Sequence, residues 1–86
     1  MKRIVEDADA QGMEAFLGEK IFLLCANYFY AGKLVGVNES FVELEEAAIV
    51  YETGDWAAST YADSQRLPGK TWRVQLGAVE SYGMGK

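Results

Sequence analysis

The stretch Phe41-Val42-Glu43-Leu44-Glu45-Glu46-Ala47-Ala48-Ile49-Val50-Tyr51 decides the fold. In its first half Val42 and Leu44 point one way while Phe41, Glu43 and Glu45 point the other, the pattern of a strand with one wet face. Its second half, Ala47 to Tyr51, is apolar at every position, so both faces of that segment are expected to be covered. The spacing predicts two strands, over residues 40–45 and 47–53. If the second lay at a sheet edge it would be an aggregation hazard unless another copy of the chain covered it.

Working toward the N-terminus, Gly32, Leu34, Gly36 and Val37 predict a strand over residues 29–37 that turns at Asn38-Glu39. Glycines inside a strand mark bulges or barrel corners, and a small barrel needs both to close. The continuous apolar run Ile21 to Cys25 predicts a buried strand over residues 20–27. Upstream, Asp9 as N-cap, Met13, Phe16 and Leu17 as one apolar stripe, and Gly18 as C-cap predict a helix over residues 9–17 lying across the barrel mouth.

Toward the C-terminus the pattern breaks over residues 54–69. This insertion holds Asp55 as a possible N-cap, a helix-competent run from Trp56 to Ala62 and a Pro68-Gly69 turn. A last strand is predicted over residues 70–82, with Trp72, Val74 and Leu76 inward, Arg73 and Gln75 outward, and a bend at Gly77. The expected fold is mainly β: one domain over residues 1–86, a strongly bent, five-stranded, open SH3-like barrel with an N-terminal helix and a short helical insertion before the last strand.

At 86 residues with 50% apolar composition and one proline, disorder is excluded, and the core of so short a chain is thin. One cysteine, Cys25, and no histidine exclude a disulfide framework and a Cys/His zinc site within one chain. An unstapled small domain commonly gains stability by self-association. Lys2 and Arg3 lead only to Ile4 and Val5 before Glu6, Asp7 and Asp9, so a secretory leader is not expected. The stretch Ile21 to Ala31, interrupted by Asn27, is shorter than the roughly 20 residues that span a bilayer. The expected compartment is the cytoplasm, with no membrane partner.

Lacking histidine, the chain has no Ser-His-Asp or Cys-His arrangement of its own, and it has no phosphate loop. Cys25 sits in a core strand and is expected to be buried and inert. Glu43, Glu45 and Glu46 are read as a solvated strand face rather than a cation site. No catalysis, cofactor or metal is expected. The net charge of −5 opposes nucleic acid, yet it is unevenly spread. Glu39, Glu43, Glu45, Glu46, Glu52, Asp55 and Asp63 meet no base between Leu34 and Gln65, so a phosphate-binding face must lie outside that segment.

The order helix, Gly18, strand, polar-aromatic turn, Gly32-Lys33-Leu34, Asn38, then Phe41-Val42-Glu43-Leu44 resembles the first signature of the Sm-like family. Asn38 stands where that family usually has aspartate. The family's asparagine has no counterpart among Phe41 and Val42, which brings the chain nearer the bacterial host-factor-like branch, although Ser40 replaces that branch's aromatic. For the second signature, Ile49-Val50-Tyr51-Glu52-Thr53 is similar to the bacterial form, with Glu52-Thr53 in place of its RNA-contacting Lys-His. Leu76-Gly77-Ala78-Val79 competes for the same role without the arginine before the glycine; the first alignment is preferred. The compact, acidic form also looks like short Sm-like proteins of phages.

The resemblance implies a homo-oligomeric ring, five to seven subunits being plausible, closed by pairing of the fourth strand with the fifth strand of a neighbour. Ala47, Ile49, Tyr51, Trp72 and Val74 would form the subunit interface. It further implies binding of single-stranded RNA or DNA. Asn38 and Ser40 would hydrogen-bond base edges, Phe41 or Tyr30 would stack, and Lys33, Lys70 and Arg73 would meet phosphate. The competing expectation is a structural ring or protein-interaction scaffold that uses the helix face or the Trp56 to Tyr61 insertion and binds no nucleic acid.

Overall fold

The computed structural model describes residues 12–86. Among the described residues six antiparallel strands follow in chain order: β1 (Lys20–Cys25), β2 (Phe29–Val37), β3 (Phe41–Glu52), β4 (Asp63–Arg66), β5 (Thr71–Gln75) and β6 (Val79–Met84). They form one bent sheet in the order β4-β3-β2-β1-β6, and β5 pairs with the first half of β3. The mainly β expectation holds, with six strands among the described residues where five were expected.

The two strands expected over residues 40–53 are one twelve-residue strand, β3, bent rather than broken. The bend is a bulge. Ala31 pairs with Ala48 and Lys33 with Glu45, so Gly32 alone stands against Glu46 and Ala47. Glu46 takes the left-handed conformation this requires, with φ of 51°. Gly32 lets the strands close, because a Cβ there would lie 3.0 Å from the Glu45 carbonyl oxygen and 3.2 Å from Ala47 Cα. A second bulge follows, since Leu34 pairs with Leu44 and Gly36 with Glu43, leaving Val35 unmatched. Both glycines of β2 thus sit at corners, and the corner at Glu46 lets β3 pair with β5 before it and β4 after it.

The bend creates two apolar clusters. Ile21, Leu23 and Cys25 on one face of β1 join Met13, Leu34, Val42, Leu44, Ala47 and Val74 in the main core. On the opposite face, Phe22 packs with Ala31 and Val50 in a smaller cluster, against Phe29 and Tyr61. This explains why Ile21, Phe22, Leu23 and Cys25 are all apolar, while Leu24 is exposed. Each fully buried side chain of the size of Ile21, Leu23, Leu34 or Leu44 contributes about 1.5–3 kcal/mol.

Three further expectations change. Part of the helix expected over residues 9–17 lies outside the described residues. What is described is a five-residue 3-10 turn, Gly12–Phe16, bracketed by glycines at φ of 49° and 89°. Met13 is buried, but Leu17 is 48% exposed, so the three-residue stripe does not all face the core. The run Trp56 to Ala62 forms turns rather than a helix. Its rings are drawn onto Phe22 instead, and the insertion contributes β4. The expected last strand is cut at Leu76–Ala78 by a single 3-10 turn, so that β5 pairs with β3 while β6 crosses to β1.

Candidate nucleic-acid interface

The residues expected to contact nucleic acid fall into two groups. Asn38, Ser40, Phe41 and Arg73 meet at the corner where β2 turns into β3. The Asn38 Oδ1 accepts the backbone N–H groups of Ser40 at 2.7 Å and Phe41 at 2.8 Å, which fixes the turn. The Ser40 carbonyl accepts the Leu76 N–H at 2.9 Å and ties this turn to the joint between β5 and β6. Arg73 lies opposite Glu43 across the β3–β5 pair. Its Nε donates to Glu43 Oε2 at 3.0 Å and its guanidinium sits 4.6 Å from the centre of the Phe41 ring. Its charge is therefore already met by a carboxylate, and one aromatic face is already covered. Lys70 is exposed in the turn just before β5.

Tyr30 and Lys33 stand elsewhere, on the first half of β2. Tyr30 packs against the main core, and burial pushes its hydroxyl pKa above the ordinary value, with charge on Cys25 and Tyr28 adding to the effect. Lys33 is exposed and directly opposite Lys20 in the β1–β2 pair. Like charges at directly opposed positions destabilise a sheet, and an anion between them would relieve the repulsion. On its other side Lys33 is paired with Glu45.

Lys20 and Lys33 line an open groove of about 760 Å³ together with Arg66 and Lys86. Glu19 and Glu46 are the acids along it; the Lys86 ammonium is bonded to the Thr53, Asp55 and Thr60 carbonyls, which leaves Lys20, Lys33 and Arg66 to face those two acids in a chain whose net charge is −5. Arg66 approaches Glu46 at 3.8 Å with both side chains exposed, a contact of little strength. Lys20, Arg66 and Lys86 were not singled out by sequence reasoning. The strands expected over residues 20–27 and 29–37 carried no register, and it is the observed turn after Cys25 that sets Lys20 against Lys33. Arg66 and Lys86 reach the groove only through β4 and β6 and left no local signal.

The interface expectation needs correction in its geometry. Ala47 and Val74 are 5% exposed and belong to the chain's own core. Ile49 and Trp72 are half-buried, and only Tyr51 is well exposed, its hydroxyl donating to Gln65 Oε1 at 3.3 Å. The segment Ala47 to Tyr51 is no edge, because β2 lies on one side of it and β4 on the other. Val50 is covered by the second apolar cluster rather than by a neighbouring subunit. Among the described residues, the unpaired sheet edges are the outer sides of β4 and β5 at one end and of β6 at the other. Cys25 is buried, and burial pushes its thiol pKa up, in keeping with an inert side chain. Among the described residues no group of acids, cysteines or histidines could hold a metal ion, and no helix is long and apolar enough to cross a membrane.

No family model matches the sequence, and no curated protein matches it. A solved structure does: a chain of the NatC complex bound to CoA is similar over 99% of this chain and 90% of its own length, with a TM-score of 0.58 and 14% identity. The likeness is one of fold, between chains of nearly equal size.

Proposed function

We propose that the chain is an Sm-like subunit that assembles into a ring and binds single-stranded RNA or DNA along the Lys20–Lys33 groove, with a role in nucleic-acid processing or regulation. The carrying observation is charge placement: Lys20 and Lys33 stand directly opposed along one groove, with Arg66 on the same lining. An acidic protein that concentrates its cations in this way has a place for a polyanion despite its net charge. Asn38 keeps its amide N–H donors for a base edge, and Phe41 offers a ring at the same corner. Lys33 is the phosphate contact we retain from the sequence; Arg73 is committed to Glu43 and Phe41.

The two unpaired edges support the ring. The outer side of β4 and β5 on one subunit and the outer side of β6 on the next would continue the antiparallel sheet head to tail, leaving neither exposed. The unbroken course of β3 speaks against a second signature at Ile49 to Thr53 on a strand of its own. Leu76-Gly77-Ala78-Val79, at the joint between β5 and β6, is the alignment we adopt.

Sedimentation velocity of the purified protein tests this, alone and with labelled oligo(U), oligo(A) and single-stranded DNA at two salt concentrations. The expected result is a discrete ring mass and co-sedimenting oligonucleotide that salt releases. A ring indifferent to every oligonucleotide would favour the scaffold reading, which draws on the net charge of −5 and on Trp56, 55% exposed at the surface. A monomer would refute the ring in either form.

A further inference from the structure

The loop between β3 and β4 is built around an ammonium group. The Lys86 Nζ donates to three backbone carbonyls of that loop, Thr53 at 2.9 Å, Asp55 at 2.8 Å and Thr60 at 3.1 Å. It also lies 5.3 Å from the centre of the Trp56 ring and 5.0 Å from that of Tyr61. An ammonium has three N–H donors and no acceptor, so the three carbonyls use all of its hydrogen-bonding capacity while the rings add cation–π attraction.

The Lys86 backbone N–H donates to the Tyr61 hydroxyl at 3.1 Å, and the other contacts that hold the walls of this cage do not involve Lys86. Asp55 Oδ1 accepts the Ala57 N–H at 2.9 Å, and the Asp55 carbonyl accepts that of Ala58 at 2.9 Å. Glu52 Oε1 accepts the Gly54 N–H at 3.3 Å. Trp56 and Tyr61 stand nearly perpendicular at 87°, and both pack on Phe22, with ring centres 5.2 and 5.6 Å away. Delivery of Lys86 depends on Gly85. A Cβ there would come within 3.0 Å of Tyr61 Oη and 3.1 Å of the Ile21 carbonyl carbon.

We propose that this loop is a binding site for a primary alkylammonium, the head group of an unmethylated lysine side chain, with Lys86 as its tethered occupant and a lysine of a protein partner as the ligand that replaces it. The three carbonyls set the specificity. A quaternary ammonium carries no N–H and would leave them unpaired, whereas a primary ammonium satisfies each. Tethering gives Lys86 an effective concentration in about the millimolar range, so it holds the site until a better-presented lysine competes.

The test uses Lys86→Met, which keeps an apolar stem and deletes the charge, with the Trp56 indole N–H resonance as reporter, assigned by its loss in Trp56→Phe. n-Butylammonium is expected to shift that resonance saturably in Lys86→Met, with affinity about tenfold or more above wild type, where the tethered group competes. Butyltrimethylammonium is expected to bind the variant several-fold more weakly. Gly85→Val, which keeps the lysine but hinders its docking, should behave like Lys86→Met. Absence of a saturable shift in both variants, loss of the ordered loop in Lys86→Met, or equal affinity for the quaternary compound would each overturn the proposal.

Discussion

The two halves of β3 meet positive charge in opposite ways. Beside Phe41 to Glu45, the one arginine of β5 is neutralised: Glu43 accepts from Arg73 at 3.0 Å and Phe41 lies beneath it. Beside Ala48 to Glu52, Arg66 of β4 has only a 3.8 Å approach to Glu46, with 65% and 72% of the two side chains exposed. Across the sheet from there, Lys20 and Lys33 oppose each other. Arg73 is met by a close carboxylate and a ring, whereas Lys20 and Lys33 oppose each other, with Glu45 as the cross-strand neighbour of Lys33 on its other side. On our proposal, the in-chain partners of each base, rather than the number of bases or the net charge, decide where an anion would bind.

The largest expected effect breaks both ends together. Leu44, fully buried, pairs with Leu34 on one side and Trp72 on the other, so Leu44→Ala should cost about 2–5 kcal/mol. Urea unfolding followed separately at Trp56, near the groove, and at Trp72, beside Arg73, should show coincident transitions in both proteins. Transitions that separate would mean that the two halves are independent units.

Next comes the charge contrast itself. Lys20→Glu with Lys33→Glu should weaken oligo(U) binding by about a hundredfold, or roughly 2.8 kcal/mol, whereas Arg73→Glu should change it by less than about threefold. Fluorescence anisotropy at fixed low salt reads both, and equal losses would erase the distinction between the ends. A smaller effect belongs to Glu43→Gln. Because Arg73 is well exposed, losing this pair should cost only about 0.5–1 kcal/mol in a denaturant titration.

The smallest effect is the response to alkali. Burial raises the pKa values of Cys25 and Tyr30 in the folded chain, so their contribution to stability is complete below the unfolded values, about 8.5 and 10, and is lost as pH rises through the folded ones. Thermal melts should therefore show a shallow decline beginning above about pH 8.5, and a flat profile to pH 11 would contradict the burial of both groups.

Most strands were legible because their signals are local. The alternation at Val42 and Leu44 survives in β3, and the glycines at 32 and 36 mark the bulges that curl the sheet. The break expected between residues 45 and 47 was misplaced for a physical reason: Glu46 in a left-handed conformation bends a strand without ending its pairing. The helix expected at Trp56 lost to aromatic packing on Phe22, which no local propensity encodes. The candidate site was half legible. Lys33 and the Asn38–Phe41 corner were named from the sequence, but the commitment of Arg73 to Glu43 depends on strand register between residues 30 apart. Arg66 and Lys86 reach the groove only through β4, which the sequence did not suggest, and β6, which crosses to β1 after the 3-10 turn.

The central claim is that the Lys20–Lys33 groove is where a polyanion binds, and its most direct measurement is the salt dependence of oligonucleotide affinity for wild type and for Lys20→Ala with Lys33→Ala. Each phosphate contact on a single strand contributes about −0.7 to the slope of log K against log salt. The account predicts that the double variant has a slope shallower by about 1.4. An unchanged slope, or wild-type protein that binds no oligonucleotide at low salt, would contradict it.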